Sequence, residues 1–440
     1  MTDEKVETQV VRAPKGTHDV LWPESSRWEA LVAAFAGRAR RAGFGLALTP
    51  VFEDARLFRR GIGGQSDVVN KEMYEFTDRD DRPLALRPEG TAPIVRAFVQ
   101  HHPAVPWKAW YVTPAFRYEQ PQAGRYRQHH QLGVEVLGTE DPDLDVEVIA
   151  LAAGFYADLG LRQIDLAVNS MGCAGDRPRY IAALSEFLGR HAGELCDEHR
   201  ERYAVNPLRV LDCKRPQCRA VTEDAPRLVD FLDDECAIHL ARVRSGLDAL
   251  GVTHRLEPRL VRGLDYYTRT TFEFSATALE TAQNAVGGGG RYDGLAEAIG
   301  GDPTPGIGFG IGIERLLMAC DAEGCFVVAA PPADAFVIDL TGGEQARDLV
   351  DGLRRAGLSA LRAYDGRSLK SQLKQADKSG ARFAVIIGAE ELSNGVVTLR
   401  PLRDGGDTKG DTLAGGQKTE QETVRRDEIV ARLSKVSSEG

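Results

Sequence analysis

The sequence predicts an α+β chain: a mostly antiparallel sheet flanked by helices, broken by a helical insertion and followed by a small α/β domain. Strand-period segments such as HQLGVEVLG, YYTRTTFEF and GIGFGIGI stand far apart, so the sheet is assembled from distant pieces. Between about 150 and 260 the apolar spacing turns helical, as in IAALSEFLGRHAG and PRLVDFLDDECAIHLARVRSGLDALG. After the Pro-rich AAPPAD, strand and helix patterns alternate as in a parallel α/β core. The expected organisation is a first domain over 1–328 with its insertion at about 172–255, a linker at 329–334, and a terminal domain over 335–440.

The elements follow in order. A first amphipathic helix is expected over about 25–42, with Trp28, Leu31, Val32, Phe35 and Ala39 on one face and Gly43 ending it. LALTPVFE reads as a short strand interrupted by Pro50, which suits an edge or an interface. EMYEFTDRDDRPLALRPEG reads as two strands around an acidic turn, and a helix begins near Thr91 with Pro93 in its first turn. GIGFGIGI runs directly into ERLLMAC, a strand-to-helix transition. In the terminal domain AFVIDL, SALRAY and RFAVIIGAE read as strands and GEQARDLVDGLRRAG and SLKSQLKQADKSG as helices, and DGGDTKGDTLAGGQKTEQ is expected to be a mobile loop before a last helix.

Composition narrows the class. The 440 residues are 42% hydrophobic and 27% charged, with 46 glycines, which suits a globular protein with functional loops. No signal-peptide core opens the chain and no stretch approaches the ~20 apolar residues of a membrane span, so a cytoplasmic protein without membrane attachment is expected. A net charge of −10 argues against a general nucleic-acid-coating protein. It leaves room for a local basic surface, and Arg354, Arg355, Arg362, Arg367, Lys370, Lys374, Lys378 and Arg382 gather against only Asp365 and Asp377. The seven cysteines form no disulfide framework. Cys196-x-x-His199, Cys213-x4-Cys218 and Cys236-x-x-His239 are zinc-ligand types, but their spacings fit no standard finger; incidental buried thiols are expected, and no metal site.

Five constellations could carry chemistry. In FRYEQPQAGRYRQHHQLGVEVLG the strand period puts Gln131, Gly133 and Glu135 on one face and Leu132, Val134 and Val136 on the other. The same rule pairs Arg117 with Glu119, and the long connection carries Arg125 and Arg127. In LVRGLDYYTRTTFEF, Arg262 precedes Tyr266 and Tyr267, which as strand neighbours point to opposite faces. AVGGGGRYDGL sets four glycines before Arg291, Tyr292 and Asp293, without the lysine of a P-loop or the fingerprint of a dinucleotide fold. PGIGFGIGIERL bares one strand face with alternating glycines and puts Glu314 and Arg315 in the first helical turn, where a cation favours a bound polyphosphate. LRPEGTAPIVRA places Glu89 and Thr91 at a strand-to-helix turn, where Thr91 as a helix cap is an adequate structural explanation.

KGTHD, LRPEGT, FRYEQPQAGRYRQ, LVRGLDYYTRTTFE, GGGGRYDGL and GIGFGIGIERL occur in the order typical of the histidyl-tRNA synthetase family of class II aminoacyl-tRNA synthetases. The resemblance runs from about Lys15 to Arg400 and includes NPLRVLDCK within the insertion. It implies a class II catalytic domain with a C-terminal anticodon-binding domain, and a histidine-tRNA ligase that forms histidyl-adenylate from ATP and transfers histidine to tRNA(His). Arg117 would hold the α-phosphate, Arg315 the γ-phosphate, and Arg262 would stabilise charge at the α-phosphate from the opposite side. Glu119 and Arg125 would join the ATP contacts, with Mg²⁺ as bridging ion. Glu89, Thr91 and Gln131 would grip the amino group, Glu135 and Tyr267 would read the imidazole, and Tyr266 and Tyr292 would line the pocket. A homodimer is implied by the first helix and the Pro50 strand.

The resemblance has two departures. Gln120-Pro121-Gln122 stands where bacterial relatives commonly read Arg-Pro-Gln, and His129 where an aromatic often stands; both bear on recognition of the extra 5′ guanosine of histidine tRNA, not on adenylate formation. Regulatory paralogues of the family assist the ATP phosphoribosyltransferase of histidine biosynthesis without aminoacylating. They generally lack the anticodon-binding domain and part of the arginine set, whereas this chain has both. A class II synthetase for another amino acid is opposed by Glu135 and by the Arg262–Tyr267 motif.

Overall fold

The computed structural model describes residues 10–63, 68–120, 124–261, 264, 266–279, 284–402 and 421–438. The chain divides into two compact units, Met1–Val328 and Ala329–Gly440. The first is organised by an eight-stranded sheet whose spatial order is Gly45–Leu46, Trp107–Phe116, Gln128–Leu137, Gly306–Gly312, Ala285–Arg291, Thr268–Ala276, Ile164–Ser170 and Arg255–Leu256. The six inner strands pair antiparallel, and only the two-residue edge strands run parallel to their neighbours. Distant segments therefore meet side by side.

One face of this sheet is covered because period two sends its apolar residues there. Leu132, Val134, Val136, Ile307, Phe309 and Ile311 form a core with Leu31, Phe35 and Ala39 of the helix Glu24–Arg41 and with Ile149, Ala152 and Phe155 of the helix Pro142–Asp158. Phe35 packs edge-on against Trp110, Phe155 and Phe309. Gly43, at φ +81°, lets the chain leave the first helix and turn back to the sheet edge.

The LALTPVFE segment is two edge strands rather than one interrupted strand. Gly45–Leu46 borders the large sheet and Phe52–Asp54 borders a three-stranded sheet with Pro83–Leu86 and Glu75–Thr77. Pro50, with no N–H to donate, lies between them. The buried Arg87 guanidinium ties this crossing to the main hairpin through the carbonyls of Thr49, Pro50 and Pro114.

After Ile164–Ser170 come the helices Asp176–Arg190, Asp197–Arg202, Leu208–Leu211, Pro216–Glu223 and Asp234–Ala249. The PRLVDFLDDECAIHL run is not one helix. A 3₁₀ turn, Leu228–Phe231, precedes a break at Asp233, whose carboxylate accepts the Cys236 N–H at 2.8 Å and starts the last helix. The second unit has a sheet in the order Ala360–Arg362, Ala335–Asp339, Phe383–Ile387, Val396–Pro401 and Glu422–Arg425. Its first three strands are parallel and its last two antiparallel. The 404–420 part of the expected loop lies outside the described residues. Among the described residues no helix is long and apolar enough to cross a membrane.

The three Cys/His pairs separate. Cys236 lies at the start of its helix, and His239 Nε2 meets the Asp145 carboxylate at 2.7 Å. Cys196, His199, Cys213 and Cys218 instead converge, their ligand atoms within 4.8 Å of one another. The expectation of incidental thiols treated the pairs alike because a linear spacing cannot tell which helices meet.

Arg291 also takes a structural position. It is fully buried and donates from Nε to Asp145 at 2.8 Å, from Nη1 to Asp293 at 3.0 Å, and from both terminal nitrogens to the Thr139 carbonyl. Asp145→Ala leaves a buried guanidinium short of its main partner, and the expected loss is about 3 kcal/mol of stability, read by denaturant unfolding. A loss below about 0.5 kcal/mol, the scale of a surface change, would refute this assignment.

Candidate active site

The uncovered face of the large sheet is bare because glycines occupy it in register. Glu135 pairs with Gly308, Gly133 with Gly310, and Gln131 with Gly312, while on the far side Gly288 faces Gly310 and Gly290 faces Gly308. A Cβ at Gly308 would overlap the Glu135 carboxylate, so the glycine is required by the acid across from it.

Glu135 lies at the bottom of this floor with no exposed surface. Thr91 Oγ1 donates to Oε1 at 2.7 Å, Tyr111 Oη to the same oxygen at 3.1 Å, and Tyr292 Oη to Oε2 at 2.5 Å. Burial, with Glu89 adding repulsion against the three hydroxyl donors, pushes the carboxyl up to about 8. Burial and the adjacent acid keep the Tyr111 and Tyr292 phenols protonated, so they act here as donors.

Glu89, not Thr91, caps the helix Thr91–His101: its carboxylate accepts the Thr91 N–H at 2.5 Å and the Ala92 N–H at 2.9 Å. The Thr91 hydroxyl is thereby left for Glu135. Tyr266 and Tyr267 do not point to opposite faces. They precede the strand Thr268–Ala276, outside the reach of its alternation, and their rings lie 4.7 Å apart; Tyr266 also meets Tyr292 edge-on at 5.9 Å. Glu89, Thr91, Glu135, Tyr266, Tyr267 and Tyr292 thus form one buried, hydroxyl-rich group.

Beside this group opens a cavity of about 590 Å³, lined by Arg117, Glu119, Arg125, Gln131, Glu314 and Arg315 together with Gly287, Gly288, Gly310 and Gly312. Arg125 is paired with Glu119. Arg117 donates from Nε to the Pro88 carbonyl at 3.0 Å, and Arg315 to the carbonyls of Ala285 at 2.8 Å and Gly124 at 3.3 Å. Neither is ion-paired among the described residues. Burial, then the charges of Arg125 and Arg117, lower the Arg315 guanidinium from its ordinary value. Arginines that crowd one another and spend their donors on carbonyls create a wall that favours a polyanion. His129, between them, is pushed down to about 3 by burial and then by Arg117, so it is neutral.

Arg262 lies outside the described residues, as do Pro121 and Gln122; Gln120 is exposed at the loop's start. Sequence reading missed Tyr111, whose only signal was its place in the strand facing Gly133, and Asp212, Lys214 and Glu273, which also line the cavity. Glu273 stands between Phe272 and Phe274, the polar member of an alternating strand. Glu314 accepts the His130 backbone N–H at 3.0 Å and holds the hairpin against the helix Ile313–Glu323.

Comparison with known proteins follows the same division. Residues 16–316 match the family model described as histidyl-tRNA synthetase, and residues 327–436 the one described as anticodon binding domain. The chain is 48% identical over 406 residues to the histidine–tRNA ligase of Desulforudis audaxviator, covering 91% of this chain and 96% of that one. It is 46% identical over 428 residues to that of Rhodococcus erythropolis, covering 96% and 97%. Among solved structures, the apo histidyl-tRNA synthetase of S. aureus superposes with a TM-score of 0.78 at 33% identity, covering 96% of this chain and all of that one. A Bacillus halodurans protein described as an ATP phosphoribosyltransferase regulatory subunit/histidyl-tRNA synthetase shares the fold, with a TM-score of 0.60 at 20% identity. Most of the length of both units is matched, and the chain belongs to the histidyl-tRNA synthetase family.

Proposed function

We infer that the protein acts as a histidine–tRNA ligase, activating histidine with ATP and transferring it to tRNA(His). The observation that carries the reading is the junction of a buried carboxylate, Glu135, with an arginine-walled cavity on one glycine-bared sheet face. Histidine presents both an imidazole for the first and a carboxylate that must reach the α-phosphate in the second.

In the first step a histidine carboxylate oxygen bonds to the α-phosphorus while the bond to the β-phosphate oxygen breaks and pyrophosphate leaves with the electron pair. Arg117 and Arg315 supply fixed donors to the triphosphate, and Arg125, with Glu119, borders it. Arg262 stabilises charge at the α-phosphate; this role rests on its place in the LVRGLDYY motif. The cavity carboxylates Glu119 and Glu273 offer hard oxygen ligands suited to the Mg²⁺ that accompanies a nucleotide triphosphate. Glu89, Thr91 and Gln131 are placed for the α-amino group, and Glu135 with Tyr267 for the imidazole, with Tyr266 and Tyr292 as walls. A buried acceptor rejects isosteres that lack an N–H, since Glu135 would then lose a partner. In the second step a terminal ribose hydroxyl of the tRNA attacks the histidyl carbonyl and AMP departs.

The terminal unit supports the tRNA reading with Arg362 stacked over the exposed Tyr364 at 4.4 Å, beside Arg367 and Lys370. We also propose a homodimer. Leu46 and Phe52 on the two edge strands and Leu48 in the connection between them are 51%, 52% and 76% exposed, a surface suited to a second copy. Free thiols throughout suit a cytoplasmic enzyme.

Pyrophosphate exchange into ATP is expected to depend on histidine; folded, active-concentration protein that shows none would overturn the enzyme reading. Arg262→Ala is expected to slow exchange by about 10²–10³-fold while calorimetric histidine affinity stays within a few-fold, and loss of histidine binding would reassign it.

For Glu135 the folded-state value of about 8 stands above its ordinary 4.5. The stability contributed by the protonated carboxyl is present below about 4.5 and is lost as pH rises through about 8. Glu135→Gln cannot ionise, so its stability relative to the parent is expected to grow across that window, with histidine affinity at least about tenfold weaker. A difference independent of pH would refute the raised value. Sedimentation is expected to give the mass of two chains, and Leu48→Asp that of one; a monomeric parent at micromolar concentration would remove the dimer.

A further inference from the structure

Outside the cavity, among the described residues, two groups of potential metal ligands come together: Cys196, His199, Cys213 and Cys218, and Cys173, Asp176, Asp233 and Cys236. The second is accounted for by helix starts. Asp176 accepts the N–H groups of Cys173 and Asp233 and the Arg179 guanidinium, and Asp233 accepts the Cys236 N–H and the Cys173 thiol. Its carboxylate lone pairs are engaged in capping.

The first group has no such account. Cys196 Sγ lies 3.2 Å and Cys218 Sγ 3.7 Å from the same nitrogen, His199 Nδ1. A neutral imidazole nitrogen has one lone pair and cannot accept from two thiols at once, and neither thiol is a strong donor. A single cation at the centre satisfies all four atoms. Zinc bonds of about 2.3 Å to sulfur and about 2.0 Å to nitrogen imply tetrahedral edges of roughly 3.5–3.8 Å. The two sulfur–nitrogen distances bracket the lower end of that range. Cys196 and Cys218 are nearly or fully buried, and His199 and Cys213 are half-buried.

The surrounding chemistry fits zinc bound as a structural ion. The Cys196 backbone N–H points at Cys218 Sγ at 3.4 Å, the kind of outer hydrogen bond that holds a thiolate ligand. Three thiolates and one divalent ion leave a single negative charge, and the Arg215 guanidinium faces Cys196. Ligands come from the start of the helix Asp197–Arg202, from the turn after Leu208–Leu211, and from the first turn of Pro216–Glu223. Helices of 6, 4 and 8 residues are too short to persist alone, and a shared ion would join them.

We propose that Cys196, His199, Cys213 and Cys218 form a structural zinc site that clamps these three helices. Binding releases the thiol protons to solvent. The ion also fixes the turn at Cys213, whose neighbours Asp212 and Lys214 line the cavity. Zinc thereby anchors one lip of the cleft.

The test uses full-length protein purified under reducing conditions without a metal-affinity tag. Elemental analysis is expected to find about one zinc per chain. Cobalt exchanged into the site is expected to give the intense visible bands and thiolate charge transfer of a tetrahedral sulfur-rich centre. Cys213→Ser should lower zinc content at least about tenfold at limiting metal, whereas Cys173→Ser with Cys236→Ser should retain it. A parent chain without zinc that also gives no tetrahedral cobalt spectrum overturns the site, even where the serine variant fails to fold. So does zinc lost from the Cys173/Cys236 variant but kept by Cys213→Ser, or a disulfide within the four residues in freshly reduced protein. None of these measurements needs substrate, so they stand apart from the nucleotide reading.

Discussion

The antiparallel register between Gln128–Leu137 and Gly306–Gly312 sets Glu135 against Gly308 and Gln131 against Gly312, and the rest of the site depends on it. A shift of one residue would turn Leu132 and Val134 outward and press the carboxylate into the core, so the pairing that makes the core also makes the floor. Packing Phe35, Phe155 and Phe309 on one face keeps the sheet in that register, and glycines on the other leave room for a buried acid. An acid there is costly to ionise. Three hydroxyl donors hold both of its oxygens, and a ligand with a ring N–H would add a further donor that favours the ionised form.

The arginine wall obeys the opposite logic. Arg117 and Arg315 are held by backbone carbonyls, which orient a guanidinium without neutralising it. Their orientation is thus paid for before a triphosphate arrives. Arg291, which follows the glycines of AVGGGGRYDGL, is different: strand alternation turns it to the packed side, where Asp145 and Asp293 neutralise it. Arg315, in the first turn of the helix Ile313–Glu323, serves chemistry, and Arg291, at the end of the strand Ala285–Arg291, serves architecture, although each follows a run of glycines.

The zinc proposal rests on the same dependence on neighbours in space. Cys196-x-x-His199 and Cys213-x4-Cys218 looked no more promising in the sequence than Cys236-x-x-His239. Helix packing joins the first two pairs and sends His239 to Asp145.

Much was legible in the residues themselves. Period-two alternation in HQLGVEVLG separated Glu135 from Val134, and the alternating glycines of GIGFGIGI marked the bare face, because a strand's side-chain direction is a local property. The strand and helix pattern after 334 likewise revealed the parallel core of the second unit, and helix starts near Thr91 and Gly312 followed from turn chemistry. Local rules failed where a neighbour came from elsewhere in the chain. Glu89 rather than Thr91 caps its helix since Thr91 is drawn to Glu135; Tyr266 and Tyr267 share a side because their strand begins one residue later; and Tyr111 was invisible until it lay opposite Gly133. The sequence alone determined which residues a strand or helix presents together. Only the tertiary structure decided which of those faces meet, since long-range pairing depends on how the whole core packs.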